Sequence, residues 1–362
     1  MKIDIIAGAR PNFMKIAPII ESIEKQSNNK INISYRLIHT GQHYDKNMSG
    51  SFFEQLGIPK PDYNFDAGSG TQSEQTAAIM IKYEELLIKE TCDLCLVVGD
   101  VNSTMACSIV AKKLNLKVAH VEAGIRSFDL SMPEEINRMV TDSITDYFFT
   151  TSELANNNLL NLGINKKKIY FVGNTMIDTL LKNEKNFLKP EFFDKENLVI
   201  KKYLVLTMHR PSNVDEAHKL KALLVTIDNN SRNFPVIFPV HPRTSKILKN
   251  LGLKFQSIIM VSPMSYLEFN FLVKNSKCVI TDSGGITEET TVMGVPCMTL
   301  RNNTERPETI TIGTNELIGT DLDNLKTGLN KLFKGDWKSG SIPKLWDGKA
   351  ANRIVDLLLK LN

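Results

Sequence analysis

The stretch Cys278-Val279-Ile280-Thr281-Asp282-Ser283-Gly284-Gly285-Ile286-Thr287-Glu288-Glu289 runs a short apolar strand into a turn of small residues, and the turn opens a helix. Small residues at a strand-to-helix turn leave a row of backbone N–H groups free at a helix N-terminus, where a phosphate is favoured. Glu289 falls about one turn inside that helix. A carboxylate there suits a diol such as a ribose, which offers two donors and no charge. Strand, Ser-Gly-Gly turn and following acid together point to a nucleotide held by its diphosphate. The plainer alternative is an ordinary β–α turn with Ser283 as N-cap.

Working outward, apolar runs of four to seven residues alternate with stretches of helical period along the whole chain. In the first half the expected strands lie near 3–7, 34–39, 94–98, 118–122, 147–151 and 169–172. The expected helices are 11–25, 73–89, 103–114, 133–145 and 153–162. The segment 183–201 is charged, contains Pro190 and loses the rhythm, so it reads as a connection. A second series of strands follows near 203–207, 236–239, 258–261, 278–281 and 297–300, again with helices between, and 350–361 is an amphipathic helix. Such alternation specifies an α/β fold of two doubly wound domains with parallel sheets, over 1–182 and 202–345. Ligands in such sheets bind beyond the carboxyl ends of the strands, and a cleft between two facing domains is the expected site.

At 362 residues the chain is long for one core, in keeping with two domains. Its 44 basic and 40 acidic residues are spread evenly, and Lys166-Lys167-Lys168 is too short a block to suggest a nucleic-acid surface. No apolar run approaches the ~20 residues needed to span a bilayer. Met1-Lys2-Ile3-Asp4-Ile5-Ile6 reads as a strand rather than a signal peptide because Asp4 interrupts it, so a cytoplasmic protein is expected. Cys92 and Cys95 form a C-x-x-C, but they sit in a buried-strand pattern with no second pair. Core thiols are expected, and no metal site.

Ionisable residues cluster at the expected strand ends. Arg10 lies in the turn Gly8-Ala9-Arg10-Pro11-Asn12, with Lys15 one turn into the next helix. Asp100 follows the third strand, Glu122 closes the fourth, and Glu134 and Arg138 are i, i+4 on the helix that Pro133 opens. In the second half, His209-Arg210 and His241-Pro242-Arg243 follow the first two strands. Any one of these could be structural: an acid serving a helix N-terminus, a surface ion pair, a hydrogen-bonded loop histidine. Opposite charges gathered in a cleft are also how proton-transfer groups acquire tuned pKa values.

These motifs, in order, are GARPNFMK, GDVNST, HVEAGIR, PEEINR, TMHRP, DSGGITEE and RNNTERPE. The ordered set covers nearly the whole chain, which resembles the non-hydrolysing UDP-N-acetylglucosamine 2-epimerases of bacteria and archaea. The resemblance implies two Rossmann-like domains in the GT-B arrangement, a UDP-sugar in the cleft, no redox cofactor, a homodimer, and a final segment, 346–362, that crosses back to the first domain. It implies that Arg10, Arg306, Ser283, Gly284 and Gly285 contact the diphosphate, that Glu289 holds the ribose hydroxyls and that Phe269 lies beside the uracil. Phe269 also reads as helix core. Asp100, Glu122, Glu134 and His209 match the catalytic group, with Lys15 and Arg138 in support. Many bacterial members are activated by a second UDP-GlcNAc near a Gln-His pair, which matches Gln42 and His43. The following segment, Ala67-Gly68-Ser69-Gly70-Thr71-Gln72, lacks the arginine that accompanies that site, and Asn12 stands where the family opening has an acid.

The activity implied is inversion at carbon 2 of UDP-N-acetylglucosamine to give UDP-N-acetylmannosamine, by loss and re-addition of UDP through 2-acetamidoglucal, for cell-surface polysaccharide precursors. The competing readings are a 2-epimerase of a modified UDP-GlcNAc (a diacetamido uronic acid or a 6-deoxy sugar), a hydrolysing 2-epimerase, a glycosyltransferase of the same architecture, and a non-catalytic UDP-sugar sensor.

Overall fold

A computed structural model of the chain describes residues 1–41, 53–68, 70–240, 244–245, 247–248 and 252–361, with Arg10, Pro211 and Ser212 described by backbone alone. The chain divides into two compact units, Met1–Lys182 with Lys344–Asn362, and Asn183–Pro343.

The first unit is built on a parallel sheet of seven strands: β1 (Lys2–Ala7), β2 (Ser34–His39), β3 (Tyr63–Asn64), β4 (Leu94–Val98), β5 (Lys117–Val121), β6 (Tyr147–Thr150) and β7 (Ile169–Phe171). Their order is β3-β2-β1-β4-β5-β6-β7. The central strands are continuous apolar runs because helices cover both faces; β4, Leu-Cys-Leu-Val-Val, is buried at every position. Asp4 on β1 interrupts this pattern. Its register partner on β2 is Arg36. The guanidinium reaches the carboxylate twice, Nε to Oδ1 at 2.7 Å and Nη2 to Oδ2 at 2.8 Å, and the Tyr83 hydroxyl donates to Oδ2 at 3.1 Å. A fully buried acid is tolerated here because its oxygens are met by a bidentate cation.

Helix Ala350–Leu361 packs on helix Arg10–Asn28, so the chain's end belongs to the first unit. Asp178 fixes its start, accepting from Ala350 N at 3.1 Å and Ala351 N at 2.7 Å. Trp346, fully buried, donates its indole N–H to the Thr151 carbonyl at 3.0 Å.

The second unit carries β8 (Leu204–Thr207), β9 (Val236–Pro239), β10 (Ile258–Val261), β11 (Cys278–Thr281), β12 (Cys297–Thr299) and β13 (Asn315–Leu317), all parallel, in the order β10-β9-β8-β11-β12-β13. The segment 183–201, expected as a connection, has its core contacts here: helix Phe192–Lys195 buries Phe193, and Leu198 joins the same apolar cluster as Tyr203, Val205 and Ile237. Its charged surface hides two anchors. The edge strands β3 and β13 have no apolar run to announce them, being two and three residues long. All five cysteines are buried and free, and burial pushes the Cys92 thiol up to about 12. No helix among the described residues is long and apolar enough to cross a membrane.

Candidate functional site

In each sheet the strand order reverses once, between β1 and β4 in the first unit and between β8 and β11 in the second. At such a point two neighbouring strands send their chains to opposite faces. A crevice opens beyond their carboxyl ends.

In the first unit the loops after β1, β4 and β5 meet there. Lys15 Nζ lies 2.7 Å from Glu122 Oε2, both side chains nearly buried. Glu122 has φ +70°, a left-handed conformation uncommon for a residue with a side chain, and this local strain sits at the end of β5. Gly99 has φ +70°, and a β-carbon there would lie 3.4 Å from Lys15 Nζ and 3.9 Å from Glu122 Oε2. Next to it, Asp100 Oδ2 accepts from Arg138 Nε at 3.1 Å and Nη2 at 2.6 Å. The Asp100 carbonyl accepts from Asn137 at 2.9 Å.

A further layer holds this group in place. Glu135, buried, takes Arg138 Nη1 at 2.6 Å and also bonds Ser127 and the Phe128 amide. His120 spans from Asp142 Oδ1 at 2.7 Å to the Gly99 carbonyl at 2.8 Å. Burial alone would raise the Asp142 carboxyl, but His120 and Arg126 outweigh it and hold it below its ordinary value. Asn12, in place of the expected acid, accepts from the Gly8 and Ala9 amides at 3.2 and 3.0 Å and donates to the Val98 carbonyl at 3.1 Å. A carboxylate could accept the first two bonds but not donate the third.

In the second unit Asp282 is the hub. Its fully buried carboxylate accepts from the His209 and Arg210 amides and from Asn213 Nδ2, at 3.0 to 3.2 Å. Its Oδ1 also lies 2.9 Å from His209 Nδ1. Burial works against this charge, yet the His209 partner and the amide donors keep Asp282 below the usual carboxylate range. Nδ1 of His209 is therefore committed, while the side chain as a whole is 62% exposed. Ser283 occupies the N-cap position of helix Gly284–Val292 but makes no cap bond with its side chain, so its hydroxyl is not spent as the plainer reading required. The first N–H groups of that helix have no partner within it. Glu289, 2% exposed, accepts from the Tyr266 hydroxyl at 2.8 Å. Burial, with neighbouring Glu288 adding to it, pushes its pKa up to about 7 against the opposing pull of Tyr266.

Of the residues expected from sequence, Lys15, Asp100, Glu122 and Arg138 converge in the first unit. Arg138 pairs with Asp100 and Glu135 rather than with Glu134 as the i, i+4 spacing suggested; Glu134 is half-buried on the same helix. His209, Ser283, Gly284 and Gly285 converge in the second unit. Arg306 is buried and bonded through Nε to Glu288. Phe269 is half-buried against the apolar core on helix Tyr266–Asn275, the helix that supplies Tyr266 to Glu289. Gln42, His43, His241 and Arg243 lie outside the described residues, and only the backbone of Arg10, which opens helix Arg10–Asn28, is described. Glu135, Asp142 and Asp282 escaped the sequence reading. The paired acids of PEEINR and the strand-end position of Asp282 were the available signals. Among the described residues no cluster of His, Cys, Asp or Glu could hold a metal ion.

Two Rossmann-like units, each with ionisable side chains and glycines gathered where its strand order reverses, define the class of α/β proteins to which many nucleotide-sugar enzymes belong. More narrowly, a family model described as UDP-N-acetylglucosamine 2-epimerase matches residues 25–359, and the chain belongs to that family, whose members are isomerases. It is 45% identical over 373 residues to UDP-N-acetylglucosamine 2-epimerase of Methanocaldococcus jannaschii, with 99% of each chain covered. It is 38% identical over 368 residues to UDP-2,3-diacetamido-2,3-dideoxy-D-glucuronate 2-epimerase of Pseudomonas aeruginosa, with both chains covered in full. The crystal structure of the Methanocaldococcus jannaschii enzyme in complex with UDP-GlcNAc and UDP matches with a TM-score of 0.89 at 43% identity, covering 99% of this chain and 100% of that one.

The elevated Glu289 pKa has a consequence for stability. The group binds its proton more tightly folded, at about 7, than unfolded, at 4.5, so its contribution falls as pH rises through that interval and is fully lost above it. Chemical denaturation of wild type and Glu289→Gln from pH 4.5 to 8 should show the wild type losing roughly 3 kcal/mol relative to the variant. A constant difference across the range would show that Glu289 is not held protonated.

Proposed function

We propose that the protein inverts carbon 2 of UDP-N-acetylglucosamine by expelling UDP and recapturing it, in the cytoplasm. The proton at carbon 2 has no adjacent carbonyl and is not acidic, so direct removal and return would be prohibitively slow. Departure of UDP from carbon 1 allows that proton to be lost, leaving 2-acetamidoglucal beside UDP. Protonation from the opposite face and return of UDP complete the inversion. The route needs a proton acceptor, a proton donor on the other side, and stabilisation of the departing diphosphate.

The observation that carries this reading is the pair of carboxylates at the reversal point of the first sheet, each locked to a cation: Glu122 to Lys15, Asp100 to Arg138. Each cation fixes the orientation of its carboxylate, which suits a positioned proton-transfer group. Glu134 completes the set of three acids. In the second unit, the N-terminus of helix Gly284–Val292 with Ser283 and Gly285 suits the diphosphate, with Arg306 in support. Glu289 suits the ribose and Phe269 the uracil. His209, oriented by Asp282 through Nδ1, offers Nε2 to the leaving group.

UDP-N-acetylglucosamine is the substrate favoured by the relative of 45% identity. The Pseudomonas aeruginosa relative, named for a diacetamido uronate, supports a second reading in which the same chemistry acts on a more heavily substituted sugar. A homodimer is supported by exposed apolar side chains on the helices that cover one face of the first sheet. Ile81 and Ile88 lie on helix Gln72–Lys89, and Ile136 and Met139 on helix Pro133–Ile144.

Incubated in deuterated water with UDP-N-acetylglucosamine alone, the protein should yield UDP-N-acetylmannosamine carrying deuterium at carbon 2, read by proton NMR. Release of free N-acetylmannosamine would identify a hydrolase, and labelling only of a diacetamido uronate substrate the second reading. Asp100→Asn and Glu122→Gln should each lower turnover by at least about a thousandfold while UDP affinity stays within about tenfold, measured calorimetrically. Loss of UDP binding in both would give these acids a purely structural role. Ile136→Asp combined with Met139→Asp should convert a dimer to a monomer in light scattering. A monomeric wild type would end the dimer reading.

A further inference from the structure

We infer that Arg301 is a diphosphate-binding residue, a second buried guanidinium directed at the Ser-Gly-Gly turn; the inference rests on the nucleotide reading of that turn. Its position follows from strand register. β12 pairs with β11, Thr299 opposite Thr281, and the Leu300 amide donates to the Thr281 carbonyl at 2.8 Å. Arg301, two residues past the end of β12, therefore leaves the sheet alongside the exit of β11 into Ser283 and Gly284.

The side chain is buried, with 4% of its surface exposed. Its Nη2 is fastened by Glu305 Oε2 at 2.6 Å and Asn303 Oδ1 at 3.3 Å. Its Nε and Nη1 have no hydrogen-bond partner among the described residues. A buried guanidinium with unmade bonds is costly to maintain, and such a group at the mouth of a site awaits an acceptor. Nη1 lies 3.8 Å from the point where a β-carbon on residue 284 would stand. Glycine at 284 thus keeps open the space between the first turn of helix Gly284–Val292 and this cation. Helix N-terminus and guanidinium act on the same small volume, and both favour an anion there.

Glu305 Oε1 lies 2.9 Å from the same point. In the free protein this carboxylate supplies the negative charge that the turn attracts, and it holds Arg301 from moving out to solvent. A diphosphate carries more charge and can accept the donors that Glu305 leaves open. Arg306 is fastened through Nε to Glu288. The two arginines of the RNNTERPE motif are thereby anchored by different acids, and Arg301 is the one placed against Gly284.

The test compares UDP with uridine on the full chain, by calorimetry for UDP and NMR titration for uridine. Arg301→Gln should weaken UDP at least tenfold and leave uridine within twofold, because only the diphosphate is read by the guanidinium. No change for UDP, or equal weakening of both ligands, overturns the inference. Should Arg301→Gln fail to fold by circular dichroism, Arg301→Lys decides. A threefold or greater loss confined to UDP supports the assignment, and unchanged UDP affinity overturns it. Failure of the wild type to bind UDP at all is a distinct result, which removes the nucleotide reading itself.

Discussion

Parallel pairing of β11 with β8 on one side and β12 on the other is the constraint on which the second unit's chemistry rests. It delivers three chain exits to one edge of the sheet: His209-Arg210 from β8, Asp282-Ser283-Gly284 from β11, and Arg301 from β12. Asp282 then ties two of these together. A single buried carboxylate satisfies two backbone amides and one side-chain amide, and fixes the histidine ring as well. A charge so deep is acceptable only because every partner it has is a donor. Removing those donors would leave the charge uncompensated, so the loop conformations and the ionised acid support each other.

The first unit solves the same problem with ion pairs. Asp4 with Arg36 is architectural, a bidentate bridge between neighbouring strands that Arg36 Nη1 extends to Glu90 Oε2 at 3.1 Å. Lys15 with Glu122 and Arg138 with Asp100 use similar chemistry at the strand ends, where side chains can also meet a ligand. The difference lies in place rather than in residue type. Buried ion pairs contribute little net stability compared with apolar packing. Charge retained at the reversal point of a sheet therefore argues for a task beyond stability. Glu122 at φ +70° adds a second such cost at the same spot.

The doubly wound architecture was legible because fully buried parallel strands carry apolar runs: β4 is apolar throughout, and β8 and β11 are apolar up to a terminal threonine. The edge strands β3 and β13 were not, since two or three residues of mixed polarity carry no period. The buried anchors within 183–201 were hidden for a related reason. The composition there is that of a solvated segment, and the burial of Phe193 and Leu198 depends on the core they meet. Within the site, residues in glycine-bearing turns after strands stood out. Glu135, Asp142 and Arg301 did not, because their importance lies in what they touch: Arg138, His120, and the space above Gly284. The i, i+4 rule matched Glu134 to Arg138 on an isolated helix. In the folded unit the guanidinium turns instead to Glu135 and to Asp100, thirty-eight residues away in sequence.

By itself the sequence determined the alternation of strand and helix, the two successive sheets, the Ser-Gly-Gly turn and the family. These are local or patterned properties, set by side-chain period and by backbone freedom at glycine. Tertiary structure alone decided which acid faces which base. Charge pairing depends on strand order and register, which bring together positions such as 15 and 122, 209 and 282, or 284 and 301. Sequence distance carries no record of those meetings, since the energy that selects them arises only when water has been excluded and each buried donor must find an acceptor.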